Sequence, residues 1–278
     1  MKAAMLHTST SVRAPAVAGM FYPRAGRELA RSLSQLLGEA AHGAPVRDAP
    51  KAIIAPHAGY VYSGPVAASV YALLAPARRR IRRVILLGPT HRVALRGLAL
   101  PGCNAFATPL GTVDIDAAAV AQVRELPQVG VNAAAHALEH SLEVHLPFLQ
   151  TVLEQFSLAP IAIGDASAAE VSEVVERLWG GPETLVVVST DLSHYLPYGD
   201  AQALDRATAR AILDFSTSLS HEQACGAAPV SGLTHLARRR RLKAELIDLR
   251  NSGDTAGDKS RVVGYGAFAF YEDPAHVR

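Results

Sequence analysis

The stretch RVILLGPTH, residues 83–91, sets the expected fold: four consecutive aliphatic side chains lead into a Gly-Pro pair and then a histidine. An uninterrupted apolar run of this length is typical of a strand buried on both faces, as in a parallel sheet. Residues 53–57 (IIAPH) and 186–194 (VVVSTDLSH) repeat the arrangement. Each of these predicted strands therefore runs into a polar loop that carries a histidine.

Predicted strands alternate with predicted helices along the chain. Helices are expected at residues 26–37, 66–74, 168–178 and 201–215, and further strands at 51–56, 158–163 and 184–189. Such alternation favours a largely parallel sheet covered by helices on both faces. Residues 243–249 and 261–271 are β-like and flank a polar, Gly-containing segment, which favours an antiparallel hairpin. We therefore predict a single α/β domain over residues 1–278, with a mixed, mostly parallel central sheet.

The composition is that of a globular protein with balanced charge. Of its 278 residues, 49% are hydrophobic and 19% are charged, and the formal net charge is +2. Nucleic acid is not an expected partner, because the two arginine runs, at 78–83 and 238–241, each follow a predicted helix and fit a solvated helix end. Residues 1–15 lack the apolar core of a signal peptide, and no stretch is apolar enough to cross a membrane. We expect a cytoplasmic protein without disulfides, since Cys103 and Cys225 are its only cysteines.

Histidines follow three predicted strands at equivalent positions. His57, His91 and His194 each come shortly after a strand, and Asp191 stands three residues before His194. Because ligands bind beyond the carboxyl ends of the strands in open α/β sheets, we expect these loops to meet in one crevice. A single histidine after a strand is most often structural, whereas three of them with an acid indicate a metal site.

Cys225 is a further candidate ligand. It precedes an apolar run whose expected first helical residue is Pro229. A thiol near a helix N-terminus is biased toward the thiolate, which is the form that binds metal. A buried apolar cysteine fits the same pattern equally well, so the spacing leaves both interpretations open.

Residues 139–147 (EHSLEVHLP) form the densest ionisable cluster. They do not match the H-E-x-x-H motif of zinc proteases, because His140 and His145 are five residues apart and would face different sides of a helix. His140 is a candidate site residue. Glu139, Glu143 and His145 also fit an ordinary solvated or paired surface.

Taken in order, these motifs resemble those of one known family. The matching stretches are 55–60 (APHAGY), 87–91 (LGPTH), 139–147, 189–195 (STDLSHY), 225–226 (CG) and 264–267 (GYGA). With 18–23 (AGMFYP) at one end and Phe270 at the other, the resemblance covers nearly the whole chain. It is to the Memo family, also called AmmeMemoRadiSam system protein B.

The resemblance implies a fold related to the class III extradiol dioxygenases and a non-haem Fe(II) site. In that family a cysteine stands where the dioxygenases have a carboxylate ligand, which implies His57, His91 and Cys225 as the metal ligands of this chain. A thiolate is a softer and more oxidisable donor, and it suits Cu(I) or Zn(II) as well as iron. Ring cleavage therefore does not follow from the resemblance.

The resemblance also implies catalytic roles. Asp191 and His194 match the pair beside the metal, with His194 as the base, and His140 matches a stretch that faces substrate and oxygen. The first hypothesis is an iron-dependent redox enzyme for an unknown small substrate, in which His194 moves a proton and Asp191 orients it.

Two further hypotheses stay open. One is a metal-binding interaction protein without turnover, with Tyr60 and Tyr62 as contacts. The other is a zinc hydrolase with Asp191 or Glu143 as base. The resemblance also hints at radical-SAM and AMMECR-type partner proteins.

Overall fold

The computed structural model describes residues 11–41 and 48–273, and residues 1–10, on which part of the signal-peptide argument depends, lie outside it. The strands are β1 (Val12–Arg13), β2 (Ala52–Ala55), β3 (Arg83–Pro89), β4 (Leu98–Leu100), β5 (Ala105–Thr108), β6 (Gly111–Asp114), β7 (Val129–Val131), β8 (Ser157–Ile163), β9 (Thr184–Ser189), β10 (His194–Leu196), β11 (Lys243–Asn251) and β12 (Val262–Tyr271). The helices are α1 (Gly26–Ala41), α2 (Tyr60–Tyr71), α3 (Ala117–Val123), α4 (Ala133–Ala137), α5 (Leu146–Val152), α6 (Ala168–Leu178), α7 (Tyr198–Leu213), α8 (Ala227–Arg239) and α9 (Ser252–Thr255). Short 3₁₀ helices cover Ala72–Ala77 and Glu143–His145.

Within the described residues, the large sheet has nine strands, in the order β10-β12-β2-β9-β3-β8-β4-β7, with β11 paired to β12. Its centre is parallel, because β2, β9, β3 and β8 pair in that direction. Strand β12 is antiparallel to both β2 and β11, which makes the predicted C-terminal hairpin part of the same sheet. The prediction of a mixed sheet with a parallel centre is confirmed.

The central strands are apolar because both of their faces are buried. Every residue of β2 and β9 is buried, and side chains alternate between two cores, as expected for a period of two. Ile53, Leu86 and Val187 belong to the core on one face, and Ile54, Ile85 and Val186 to the core on the other. Helices α1, α2 and α5 cover the first face, while α3, α6, α7 and α8 cover the second. Helices therefore flank the sheet on both faces, as predicted.

A three-stranded sheet, β1-β5-β6, was not predicted. Its strands are two to four residues long and partly exposed, so they carry no apolar run that would reveal them. The predicted helix at 66–74 also begins earlier than expected, at Tyr60, directly after the loop that carries His57. None of the helices in the described parts of the chain is long and apolar enough to cross a membrane.

Candidate metal centre

The loops that follow β2, β3 and β9 place the predicted site residues together. These three strands are neighbours and run parallel, so their carboxyl ends lie at one edge of the sheet. His57 follows β2, His91 follows β3 and Asp191 follows β9. The ring centroids of His57 and His91 are 5.1 Å apart, so the predicted convergence is present.

A third imidazole reaches the same point from the loop after α4. The ring of His140 lies 4.6 Å from that of His91 and 5.3 Å from that of His57, between centroids. One ligand nitrogen from each of the three rings lies within 4.8 Å of the other two. Of the described residues, His57, His91 and His140 therefore form the set that could hold one metal ion.

Hydrogen bonds put the His57 ring in a form that suits a metal. The Ser189 hydroxyl donates to the Ser141 carbonyl at 2.6 Å, so it must accept the proton of His57 Nδ1, which is 2.7 Å away. His57 Nε2 then carries no proton, and its lone pair can bind a cation in place of the Cys225 thiol that it faces. Burial, with the neighbouring histidines, lowers the pKa of His57 well below its ordinary value, which keeps the ring neutral. The residues present thus fit a metal ligated by nitrogen.

Glycine at position 88 allows this close approach. A side chain on Gly88 would meet the Ser141 hydroxyl at 2.8 Å and the Ser189 Cβ at 3.2 Å. The absence of a Cβ lets the 139–147 loop pack directly on β3 and β9. Ser141 and Ser189 were not singled out from the sequence. The only signal for Ser189 was its place at the end of a strand that leads to Asp191.

Cys225 lies beside His57 but outside the three-histidine set. Its Sγ is 3.3 Å from His57 Nε2 and accepts the backbone N–H of Asp191 at 3.3 Å. Burial and the nearby Asp191 raise the pKa of the Cys225 thiol to about 12, so it is protonated in the metal-free protein. Ligation by Cys225 stays a prediction.

Asp191 and His194 both line the cavity at the site, but no hydrogen bond between their side chains appears among the described contacts. Asp191 Oδ1 accepts the backbone N–H of His57 at 2.8 Å, and burial raises the Asp191 pKa to about 7. Burial also lowers the pKa of His194. A role for Asp191 in orienting the His194 ring stays a prediction.

The interpretation of Glu139, Glu143 and His145 as a surface is wrong, because all three are at most 2% exposed. Glu143 accepts hydrogen bonds from Arg13 and Tyr22, and the Tyr71 hydroxyl pairs with His145 Nδ1 at 2.9 Å. With its carboxylate held in this way, Glu143 is not available as the base of a hydrolase. Arg13 could not be connected to Glu143 from the sequence, since 130 positions separate them.

A cavity of about 630 Å³ opens at the histidines. Phe21, Tyr62, Tyr195 and Tyr265 line it, together with Arg261, whose guanidinium lies 5.2 Å from the Tyr195 ring centroid. This volume is within the range of small-molecule sites, and rings with a few polar groups are their usual lining. Tyr195 has a left-handed backbone with φ of 59°, a strained conformation that is often found at functional sites.

Two of the predicted ligands, His91 and Cys225, line a different cavity. This cavity has a volume of about 850 Å³. His57, His91 and His140 line the aromatic cavity, and Cys225 is not among the described residues that line it. Of the two tyrosines proposed as contacts, Tyr62 lines the aromatic cavity, whereas Tyr60 is 6% exposed and its hydroxyl donates to the Val144 carbonyl. Tyr60 is therefore a core residue.

Known proteins of one family match this chain over most of its length. Residues 13–269 match the family described as "Memo-like protein". A MEMO1 family protein of Aquifex aeolicus is 35% identical and the match covers 93% of this chain and 99% of the relative. Another of Methanopyrus kandleri is 36% identical over 93% of this chain and 98% of the relative. An uncharacterized protein of Escherichia coli K12 has a solved structure with TM-score 0.48, at 14% identity, over 78% of this chain and 98% of that one. This chain belongs to the Memo family.

Proposed function

We propose that this Memo-family protein binds a metal ion at His57 and His91 and acts as a non-haem iron-dependent redox enzyme on a small molecule. The observation that carries the proposal is the meeting of three imidazoles, with ligand atoms within 4.8 Å of one another, at a cavity of about 630 Å³. Imidazole binds iron, copper and zinc alike. The choice of Fe(II) follows the family resemblance, and Cu or Zn are the alternatives.

Cys225 is the proposed third ligand, and His140 is its competitor. Two atoms bonded to one ion at about 2.1 Å for nitrogen and 2.3 Å for sulfur lie about 3.6 Å apart in a tetrahedral site. The 3.3 Å between Cys225 Sγ and His57 Nε2 is close to that separation. If Cys225 binds, His140 is free to face the substrate, as the resemblance implies.

Proton release distinguishes these two ligand sets. The pKa of Cys225 is raised to about 12, and that of His140 is lowered to about 4 because burial disfavours its charged form. Ligation by Cys225 thus displaces one proton at neutral pH, whereas ligation by His140 displaces none. Calorimetric titration of Zn²⁺ in two buffers of different ionisation enthalpy counts the protons. We expect one proton for the wild type and none for Cys225→Ser, and a wild-type value of zero would assign His140 instead.

The chain's own residues would divide the remaining tasks. A bound Fe(II) supplies the oxygen and one-electron chemistry that no side chain provides. His194 is neutral near pH 7, since burial lowers its pKa, and can accept a proton from a substrate hydroxyl in the cavity. The aromatic lining orients a small substrate and keeps water away from it.

Metal analysis of protein purified without oxygen tests the proposal most directly. We expect bound iron, oxygen uptake after a reductant or a catechol-like substrate is added, and loss of both in His57→Ala. Tight zinc without oxygen uptake would instead favour a hydrolase, for which Asp191 is the available base because burial raises its pKa to about 7. Metal binding without any turnover would favour the interaction protein. Radical-SAM and AMMECR-type partners remain predictions from the family.

A further inference from the structure

We propose that Glu139 is the positioning residue of the metal centre, and that its one carboxylate aligns His91 and places His140. This inference rests on the proposed metal binding. It concerns the protein's own hydrogen bonds, however, and can be tested before any metal is added. Glu139 was not assigned a role from the sequence, where it fitted a surface position.

The carboxylate of Glu139 is buried, and both of its oxygens accept hydrogen bonds. Its Oε2 accepts the backbone N–H of His91 at 2.6 Å, and its Oε1 accepts His91 Nδ1 at 2.9 Å. The same Oε1 accepts the backbone N–H groups of His140 at 3.0 Å and Ser141 at 2.9 Å. Three backbone N–H groups thus donate to the two oxygens of Glu139, so both oxygens act as acceptors.

Because both oxygens of Glu139 already accept backbone N–H groups, the carboxylate is an acceptor toward His91 Nδ1 as well, which decides the form of the His91 ring. The proton of neutral His91 must sit on Nδ1, facing Glu139, and the Nε2 lone pair is left free. Ser189 imposes the same form on His57 through Nδ1. Such carboxylate–histidine pairs fix both the tautomer and the direction of a metal-binding ring, and they raise its basicity.

His140 is controlled by the same carboxylate through its backbone. The hydrogen bond to Glu139 Oε1 fixes the main chain from which the ring projects, and its Nδ1 lies 3.3 Å from that oxygen. The ring then stacks on His91 at an interplanar angle of 30°. Two of the three imidazoles thus depend on one side chain.

Glu139 is itself held from the N-terminal end of the chain. Arg13 donates to the Glu139 carbonyl at 2.7 Å and to the His136 carbonyl at 2.6 Å, and its third nitrogen pairs with Glu143. Glu139 and Glu143 therefore have different roles. Glu143 ties the loop to Arg13 and touches no histidine ring among the described contacts, while Glu139 touches the rings that would bind metal.

The test compares Glu139→Gln with Glu143→Gln as the matched control. Long-range ¹H–¹⁵N NMR of metal-free protein reads the tautomer of each ring, and His91→Gln assigns the signal. We expect the wild type to hold His91 with its proton on Nδ1, and Glu139→Gln to lose that preference. We also expect the Co²⁺ dissociation constant to rise by about 10- to 100-fold in Glu139→Gln, which is the usual effect of losing such a partner. Glu143→Gln should lower the denaturation midpoint with the tautomer and the Co²⁺ affinity unchanged.

Several outcomes would overturn the inference. A wild-type His91 with its proton on Nε2 would do so, as would a Glu139→Gln protein with unchanged tautomer and Co²⁺ affinity. If Glu139→Gln does not fold, Glu139→Asp keeps a carboxylate acceptor and should retain the Nδ1 proton, and loss of that proton would count against the role. Wild-type protein that binds no Co²⁺ would refute the proposed function, while the tautomer measurement would still decide the role of Glu139.

Discussion

At the scale of single residues, the fold is stabilised by the buried ion pair between Arg13 and Glu143, neither of which lines the aromatic cavity. Arg13 and Glu143 are 8% and 0% exposed, and Glu143 also accepts the Tyr22 hydroxyl and the backbone N–H of Val17. Glu143→Gln leaves a buried guanidinium without its counter-charge, so we expect the free energy of unfolding to fall by about 3–5 kcal/mol. Urea denaturation of the wild type and the variant measures this change in the free energy of unfolding.

The matched control is Arg79→Met, which removes the exposed ion pair between Arg79 and Glu154. We expect Arg79→Met to lower the free energy of unfolding by less than about 0.5 kcal/mol, since exposed ion pairs contribute little. Equal losses in Glu143→Gln and Arg79→Met would show that burial does not set the strength of the Arg13 pair.

The buried His136 should make the native state less stable in acid. Burial lowers the pKa of His136 from 6.5 to about 4, and its Nε2 donates to the Ala99 carbonyl. Above pH 6.5 the ring is neutral in both the native and the unfolded state. As pH falls from 6.5 to 4, only the unfolded state binds the proton, so native stability decreases, and the loss is complete below about pH 4.

The difference between the two pKa values of His136 corresponds to about 3 kcal/mol. The variant His136→Gln keeps an N–H donor for Ala99 but cannot titrate. Its stability relative to the wild type should therefore improve by up to about 3 kcal/mol as the pH is lowered, measured by urea denaturation at several pH values. A constant difference between the two proteins would contradict this account.

At the scale of elements, α6 and α8 pack closely because α8 has a glycine at their contact. A Cβ on Gly232 would meet Val171 Cγ1 at 2.3 Å. Gly232→Ala should therefore lower stability by about 1–3 kcal/mol, although alanine is the better helix former. Gly199 in α7 is the control, because a Cβ there meets nothing within 4 Å. Gly199→Ala should be neutral or stabilising by up to about 1 kcal/mol in thermal denaturation, and similar losses for both would refute the packing argument.

At the scale of the whole molecule, the two cores share one sheet, which leads us to predict a single folding unit. Trp179, the only tryptophan, lies in the core that contains α6 and α8, and Phe148 lies in the core on the opposite face. Urea unfolding followed by Trp179 fluorescence and by far-UV circular dichroism should give one midpoint. Two separated transitions would mean that the faces unfold independently and would contradict the single domain over residues 1–278.

Much of the site could be predicted from the sequence, because ligand sites of α/β sheets lie at the carboxyl ends of parallel strands. His57, His91 and Asp191 come directly after apolar runs, and parallel neighbours deliver their loops to one edge. The partners of those residues could not be predicted. Ser189 and Ser141 are 48 positions apart, and nothing in either local pattern indicates their hydrogen bond.

The sequence by itself determined the α/β class, the buried strands and the edge at which polar loops meet, because burial imprints a periodicity on neighbouring residues. Only the tertiary structure decided that Glu139 and Glu143 are buried, one paired with His91 and the other with Arg13. It also decided that His140 joins His57 and His91, and that Cys225 Sγ lies beside His57 Nε2. These contacts depend on strand order and loop path. They join groups far apart in the chain, where local pattern carries no information about distance.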